Sequence, residues 1–460
     1  MYPNLMKTTL RCRITRWTTI VLLGVLAGQG RILAENPETA PKQHDGLVAR
    51  VIDSGFHESG DTFNGMGCGS DGKIYYVLCS DALDKGAQMY SYDPATKQVR
   101  HLGDLTEAAG EKNAKAVPQG KSHVNFVESN GKLYFATHID YYLIVNGAEV
   151  LNTPPQGYQP YPGGHFLSYE MASGKFENIA TAPAGQGILS MTMDRQRGRL
   201  YGITWPSGYF LRYDLQAKKL KNLGKISRDG EGGKGSDYRV LCRSLALDPD
   251  DGSVYFTTFD GVIRRYRPDS DSIETVEGDN MRKDYFGTYD PPSTGTMGYN
   301  WRQTVWYPPE RAFYGVHGNS GYLFRFDPHA SRVDVMTRLT SEPSKRSGMF
   351  DQFWYGYLGF TLGPDGHTLY YLTGGAIYVN GKFVNAHDAN SIGSKGEENL
   401  HLVTYDLQSN AYRDHGPIFF ENGTRPAYVN SIAVGKDGTV YALSRVTKDG
   451  KTWSDLISIN

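Results

Sequence analysis

A small or apolar run, a tight turn, and then an apolar residue followed by an aromatic recur along this chain. The second run reads KIYYVLC at 73–79, KLYFATH at 132–138, RLYGITW at 199–205 and SVYFTTF at 253–259. It returns as AFYGVH at 312–317, TLYYLTG at 368–374 and TVYALSR at 439–445. The turns before it often carry Asp-Gly or Asn-Gly, the pairs that suit two-residue hairpins. A third run follows each time: MYSYDP, LSYEMA, LRYDLQ, IRRYRP, LFRFDP, LVTYDL and finally LISIN. A more polar fourth comes next, as in QVRHLGDL at 98–105 or KLKNLGKI at 219–226. Alternation with Gly-rich turns is a strand signal, and its regular repetition is the signature of a propeller. The pattern predicts an all-β chain, a seven-bladed β-propeller, rather than a ladder of unrelated β-sandwiches. The last unit stops at Asn460 after three strands. LVARVIDSG at 47–55 reads like a fourth strand and is expected to close the last blade, hiding an edge that would otherwise invite association.

Charge and composition narrow the partners. The formal net charge of -1 gives no reason to expect nucleic acid or an anionic membrane. Lys7, Arg11, Arg13 and Arg16 precede TTIVLLGVLA at 18–27, an apolar core too short for a stable span. With cleavage near Ala34, residues 1–34 read as a signal peptide and 35–460 as one propeller domain, secreted or periplasmic and without membrane attachment. An uncleaved anchor is the alternative. Cys12 lies before the apolar core, the wrong place for a lipoprotein cysteine. The mature chain keeps Cys68, Cys79 and Cys242, an odd set that argues against a disulfide framework. A monomer is expected.

Propeller topology then places the chemistry. The ends of second strands and the starts of first strands share one face, and the insertions 106–122, 139–164, 279–300, 341–357, 376–399 and 420–429 all fall there. Long loops on a compact repeat fold carry function. Second strands end there at Cys79, His138, Trp205, Phe259, His317, Gly374 and Arg445. First strands enter near Asn64, His123, Ser190, Arg243, Arg302, Tyr357 and Asn430. An Asn130-Gly131 turn would set His123 directly opposite His138. A lone histidine at a strand end is usually a satisfied polar group; a pair at a channel mouth points to proton transfer or to a metal. The same face gathers Tyr141, Tyr142, Tyr158 and Tyr161, then Tyr285, Tyr289 and Tyr299, then Phe353, Trp354, Tyr355 and Tyr357. Tyr209 follows Trp205, and Tyr238, Arg239 and Arg243 lead into the fourth blade. Aromatic rings stack on sugars while Arg forks onto carboxylate or sulfate, so an acidic polysaccharide is the expected partner.

With those residues in view, the chain resembles the propeller polysaccharide lyases that cleave ulvan, a sulfated polysaccharide containing uronic acids. The resemblance spans the repeat and is sharpest in KSHVNFVESNGKLYFATH at 121–138, where those enzymes carry one His entering a blade and another ending its second strand. It implies β-elimination: a base removes the proton at C5 of a uronate and the C4 oxygen leaves. It implies His123 as base with His138 as partner or alternate base, Arg239 or Arg243 neutralising the carboxylate, and Tyr209, Tyr238 or Tyr299 as acid. Asn64, Tyr141, Trp205, Tyr299, Arg302, His317, Tyr357 and Asn430 would line the glycan. No cofactor is required for that chemistry. The family's structural metal, held by His and Cys, leaves a zinc or calcium ion open. A second resemblance, to propeller oligogalacturonate lyases with a His/Gln-bound metal, draws attention to His317 and Gln303. A metal-dependent hydrolase or lactonase, and a non-catalytic glycan-binding propeller, are the alternatives.

Overall fold

The repeated apolar-aromatic pair does its work between blades. Tyr201 of one unit packs on Tyr266 of the next with ring centroids 5.2 Å apart, and Tyr255 packs edge-on against Phe326 at 5.3 Å. Each second strand is buried along nearly its whole length, as in Ile74–Leu78 and Ala312–His317, whereas fourth strands such as Lys219–Lys225 are half-exposed. A strand buried on both faces must be apolar throughout, and one on the rim can alternate. This gradient runs outward from the centre of the molecule.

A computed structural model describes residues 46–146, 148–290, 296–347, 359–373, 378–379, 382–383 and 400–460. The signal-peptide expectation lies outside them. Residues Gln43–Asn460 form one compact unit. Five four-stranded antiparallel sheets stand separately, and an eight-stranded sheet contains two further blades joined along their outer strands. The chain is a seven-bladed β-propeller. The first blade runs Met66–Cys68, Ile74–Leu78, Gln88–Asp93, Gln98–Asp104, in spatial as in chain order. The second runs Val127–Ser129, Lys132–Ala136, His165–Glu170, Lys175–Thr181. Between its second and third strands it extrudes a separate hairpin, Tyr142–Val145 with Ala148–Leu151. The third blade opens with Gly187–Asp194, the fourth with Ala246–Leu247 and the fifth with Trp301–Tyr307. No helix among the described residues is long and apolar enough to cross a membrane.

The ring closes as the sequence predicts. Leu47–Ile52 pairs antiparallel with Lys451–Ile459, in the register Ala49 to Ile459 and Ile52 to Leu456. It also runs parallel to Tyr412–Phe420 of the sixth blade, with Leu47 opposite Ile418. Ala49 and Ile459 are both buried. Just beyond the strand, Ser54 Oγ donates to Asp455 Oδ1 at 2.5 Å and lies 2.6 Å from the Tyr76 hydroxyl, which fastens the last blade to the first. A protein beginning at Phe56 should therefore melt at lower temperature and with less cooperativity than one beginning before Gly46. An unchanged transition by circular dichroism would show that closure does not depend on this strand.

Candidate functional site

First strands lose their regular ladder at the channel mouth. In the second blade Val127 pairs with Tyr134 and Ser129 with Lys132, around a turn in which Asn130 and Gly131 both have positive φ (52° and 74°). That is the turn its sequence predicts. Continued without a break, this register would set His123 against His138. Instead Lys121 bridges His138, its N–H donating to the His138 carbonyl at 3.0 Å and its carbonyl accepting from the His138 N–H at 2.7 Å. Two extra residues are accommodated between Lys121 and Val127. The direct cross-strand pairing expected for His123 is thus replaced by a bulge, which ends a ladder and re-aims side chains. The two rings still meet, with centroids 5.8 Å apart. Single-residue irregularities interrupt the third blade between Ile188 and Ser190 and the fifth between Trp301 and Gln303, the latter at Arg302.

Around the histidine pair, residues of five blades converge. Phe63, leading into the first blade, stacks on His123 at 4.8 Å. Trp205, ending a strand of the third, lies 5.4 Å from His138. Lys121 projects its ammonium over the rings of Phe63 (4.1 Å) and Tyr142 (4.4 Å) and stands 3.3 Å from Asp140 Oδ1, an ion pair almost wholly buried. Arg243 of the fourth blade pairs with Glu231. Glu231 also accepts from the Leu241 amide at 3.0 Å and from Trp205 Nε1 at 3.1 Å. Arg302 of the fifth blade is buried within electrostatic reach of His123.

These neighbours set the protonation states. Burial first, and then Arg243, His138, Lys121 and Arg302, hold His123 well below the usual imidazole value. Burial, then the Lys121 charge, does the same to His138. Both rings are neutral near pH 7. His138 Nδ1 lies 2.7 Å from the Ile139 carbonyl. A carbonyl can only accept, so Nδ1 carries the proton and Nε2 keeps its lone pair. Nε2 is buried and makes no hydrogen bond among the described residues. Burial, offset by Lys121, pushes Asp140 up to about 7.

An open cavity of about 810 Å³ lies beside this cluster, between the extruded hairpin and the 231–238 segment. Glu231, Lys234 and Tyr238 line it with Val145, Glu149 and Leu151. Glu231 belongs both to the cavity wall and to the Arg243 and Trp205 contacts. His123 and His138 are only 3% and 1% exposed, so they lie beneath the mouth and not in open solvent.

No family model matches the chain, and no curated protein matches it. Among solved structures, it is similar to a chain in the crystal structure of the mitotic checkpoint complex. The identity is 12%, the TM-score 0.46, and the coverage 96% of this chain and 98% of that one.

Of the residues expected at the site, His123, His138, Arg243, Arg302 and Trp205 come together, and Tyr238 joins the cavity wall. Arg239 is turned elsewhere: its guanidinium is held by Asp260 at 3.2 Å and by the Ser236 and Tyr238 carbonyls. Tyr209 packs against the apolar layer between blades two and three, its ring 6.0 Å from the Lys225 ammonium. Tyr299 sits between Arg282, at 4.5 Å, and Asp290, to which its hydroxyl donates at 3.3 Å. His317 stacks flat on Phe286 at 4.3 Å, and burial pushes it down to about 3. Asn430 donates to the Thr62 carbonyl across the closing seam, and Asn64 is buried next to Phe63. Tyr141 is half-buried at the base of the hairpin. Tyr357 lies outside the described residues.

Lys121, Asp140 and Glu231 are the members of this cluster that the sequence did not mark, and Tyr142 was marked only as one of the aromatics on this face. Glu231 had one available signal, an acid inside a Gly-rich insertion just ahead of Arg243. The metal implied by the ulvan-lyase resemblance does not fit. Among the described residues no cysteine belongs to a group of three His, Cys, Asp or Glu side chains at metal spacing, and burial raises the Cys79 and Cys242 thiols, which disfavours thiolate. Among the described residues the His123/His138 pair has no third His, Cys, Asp or Glu at metal spacing either.

Gly187 allows the His138 ring to lie against the backbone of the next blade. A Cβ there would come within 2.7 Å of the imidazole Cγ. Gly187→Ala should destabilise the fold by about 1–3 kcal/mol through overpacking and displace the ring. Urea unfolding measures the first effect; a wild-type midpoint would show that the ring has room.

Proposed function

We propose that this propeller is a secreted polysaccharide lyase acting on a uronate-containing glycan. The observation that carries the reading is a buried imidazole pair, one nitrogen of which has no hydrogen-bond partner among the described residues, set among Arg243, Arg302 and Lys121. Elimination needs both features. The C5 proton is only weakly acidic until the adjacent carboxylate is neutralised, and cations placed in a low-dielectric site are effective at that task.

In the proposed reaction the uronate carboxylate approaches the Arg243, Arg302 and Lys121 charges. His138 Nε2 takes the C5 proton, and His123 stands beside it as the second imidazole. The electron pair left at C5 forms the C4–C5 double bond, the C4–O bond breaks, and the departing oxygen takes a proton. Tyr142 and Tyr238 are the phenols at the cavity and cluster; burial holds the Tyr142 phenol well above its ordinary value, so it is a proton donor and not a phenolate. Glu231 holds Arg243 in position. The glycan would lie in the cavity under the hairpin. Because His138 is 1% exposed, the reacting sugar must displace side chains such as Tyr142 to reach it.

That burial favours a second reading, a glycan-binding propeller in which the histidines only pack. A product assay separates the two, since elimination creates an ultraviolet-absorbing double bond and binding alone does not. With a panel of uronate polymers, His138→Ala should cost about 100- to 10,000-fold in turnover, the loss expected of a general base. Arg243→Ala should weaken binding and turnover together. Loss in His123→Ala with His138→Ala near wild type would move the base to His123. No unsaturated product from any polymer would end the lyase reading.

The pH profile gives an independent check. A base must be unprotonated, and the lowered His138 value keeps it so through the neutral range. The rate is lost only as pH falls through that lowered value. The acid limb of kcat/KM should therefore lie below pH 6.5, the ordinary imidazole value. A limb at or above it would rule out a buried His138 as base in the free enzyme.

A further inference from the structure

On the face of short turns, the hairpin between the first and second strands of blade four carries Asp248 and Asp250. The outer turn of blade five brings His329 against it. The Asp248 side chain is completely buried. Its Oδ1 accepts the Asp250 amide at 2.9 Å, but its Oδ2 has no hydrogen bond among the described residues. A buried carboxylate oxygen left without a hydrogen bond is costly. His329 Nε2 faces it at 3.5 Å, beyond the 2.7–3.2 Å of a good N–H···O bond.

We propose that Asp248, Asp250 and His329 form a zinc site that clips blade four to blade five. The spacing supports this. Zinc bonds of about 2.0–2.1 Å at tetrahedral angles separate ligand atoms by about 3.4 Å. Asp248 Oδ2 and His329 Nε2 already stand at that distance, and one atom from each of the three side chains lies within 4.8 Å of the others. Two carboxylates and an imidazole leave a fourth position for water. The imidazole favours zinc over calcium or magnesium, which prefer all-oxygen sets. His329 is 45% exposed, which gives the ion a way in. Arg311 Nε donates to Asp250 Oδ2 at 2.6 Å and offsets part of the negative charge, so binding should be weaker than at an all-thiolate site. The site is independent of the glycan chemistry, since it uses the other face of the ring.

The test is calorimetric titration of zinc into the full chain after chelator treatment, with melting temperature followed in parallel. The expected result is one zinc bound at this site and a higher melting temperature, with both lost in His329→Ala. That variant changes an exposed side chain and should fold. Asp248→Asn, close in shape to the native residue, is the second arm and should also lose the ion. Cobalt should give a visible absorption band that disappears in the same variants. No zinc bound by the wild type, or wild-type binding retained in either variant, overturns the proposal.

Discussion

Everything at the channel mouth depends on the pairing of Leu47–Ile52 with Lys451–Ile459. A propeller holds its inner strands around one axis only if the first and last blades are joined. Here the join is made by backbone hydrogen bonds between chain segments about four hundred residues apart, and by Ser54 reaching both Asp455 and Tyr76. The strand's parallel contact with the sixth blade leaves no unpaired edge at the seam. Once the ring is closed, Phe63, His123, Trp205, Arg243 and Arg302 can meet, although each belongs to a different repeat. No local segment of this chain could assemble that set.

Closure gives position, but the bulges give direction. A regular first strand would spend the residues at its mouth end on ladder hydrogen bonds. The break between Lys121 and Val127 gives up part of the ladder and lets His123 stack on Phe63 while remaining close to His138. The irregularity at Arg302 does the same for a guanidinium in blade five. Bulges of this kind cluster next to binding sites because they free a side chain from the alternation of the pleat.

This division explains what could be read in advance. The blades were legible because an apolar-aromatic pair between Gly-rich turns has one physical use, packing between sheets, and repeats it. The closing strand was legible because the last unit lacked its fourth strand. The His123/His138 proximity was legible, but its register was not: nothing in KSHVNFVE marks where a ladder slips by two residues. Arg239 and Arg243 could not be told apart in sequence. Only the fold shows that Asp260 captures one and that Glu231 holds the other beside the histidines. Lys121 was hidden for a similar reason, since a lysine at a strand start is ordinarily solvated and becomes significant only when Asp140, Phe63 and Tyr142 enclose it.

The enclosure has an electrostatic consequence for any anion that binds. The same three cations that attract a carboxylate are among the groups that depress His123, and Lys121 and Arg243 also depress His138. A carboxylate arriving among them cancels part of that field, so the imidazoles become more basic when the substrate is present than when it is absent. Displacing Tyr142 would shift the rings in the same direction, since water admitted to the cluster weakens the burial that depresses both of them and screens the cations, but it would also weaken the hold of those cations on the carboxylate. A closed, dry mouth with the anion inside is the arrangement in which the cations act most strongly on the carboxylate while its negative charge restores basicity to the base. The near-complete burial of the histidines, which in isolation argues for a packing role, is under the proposed lyase reading what would let a weak base strengthen when a uronate binds.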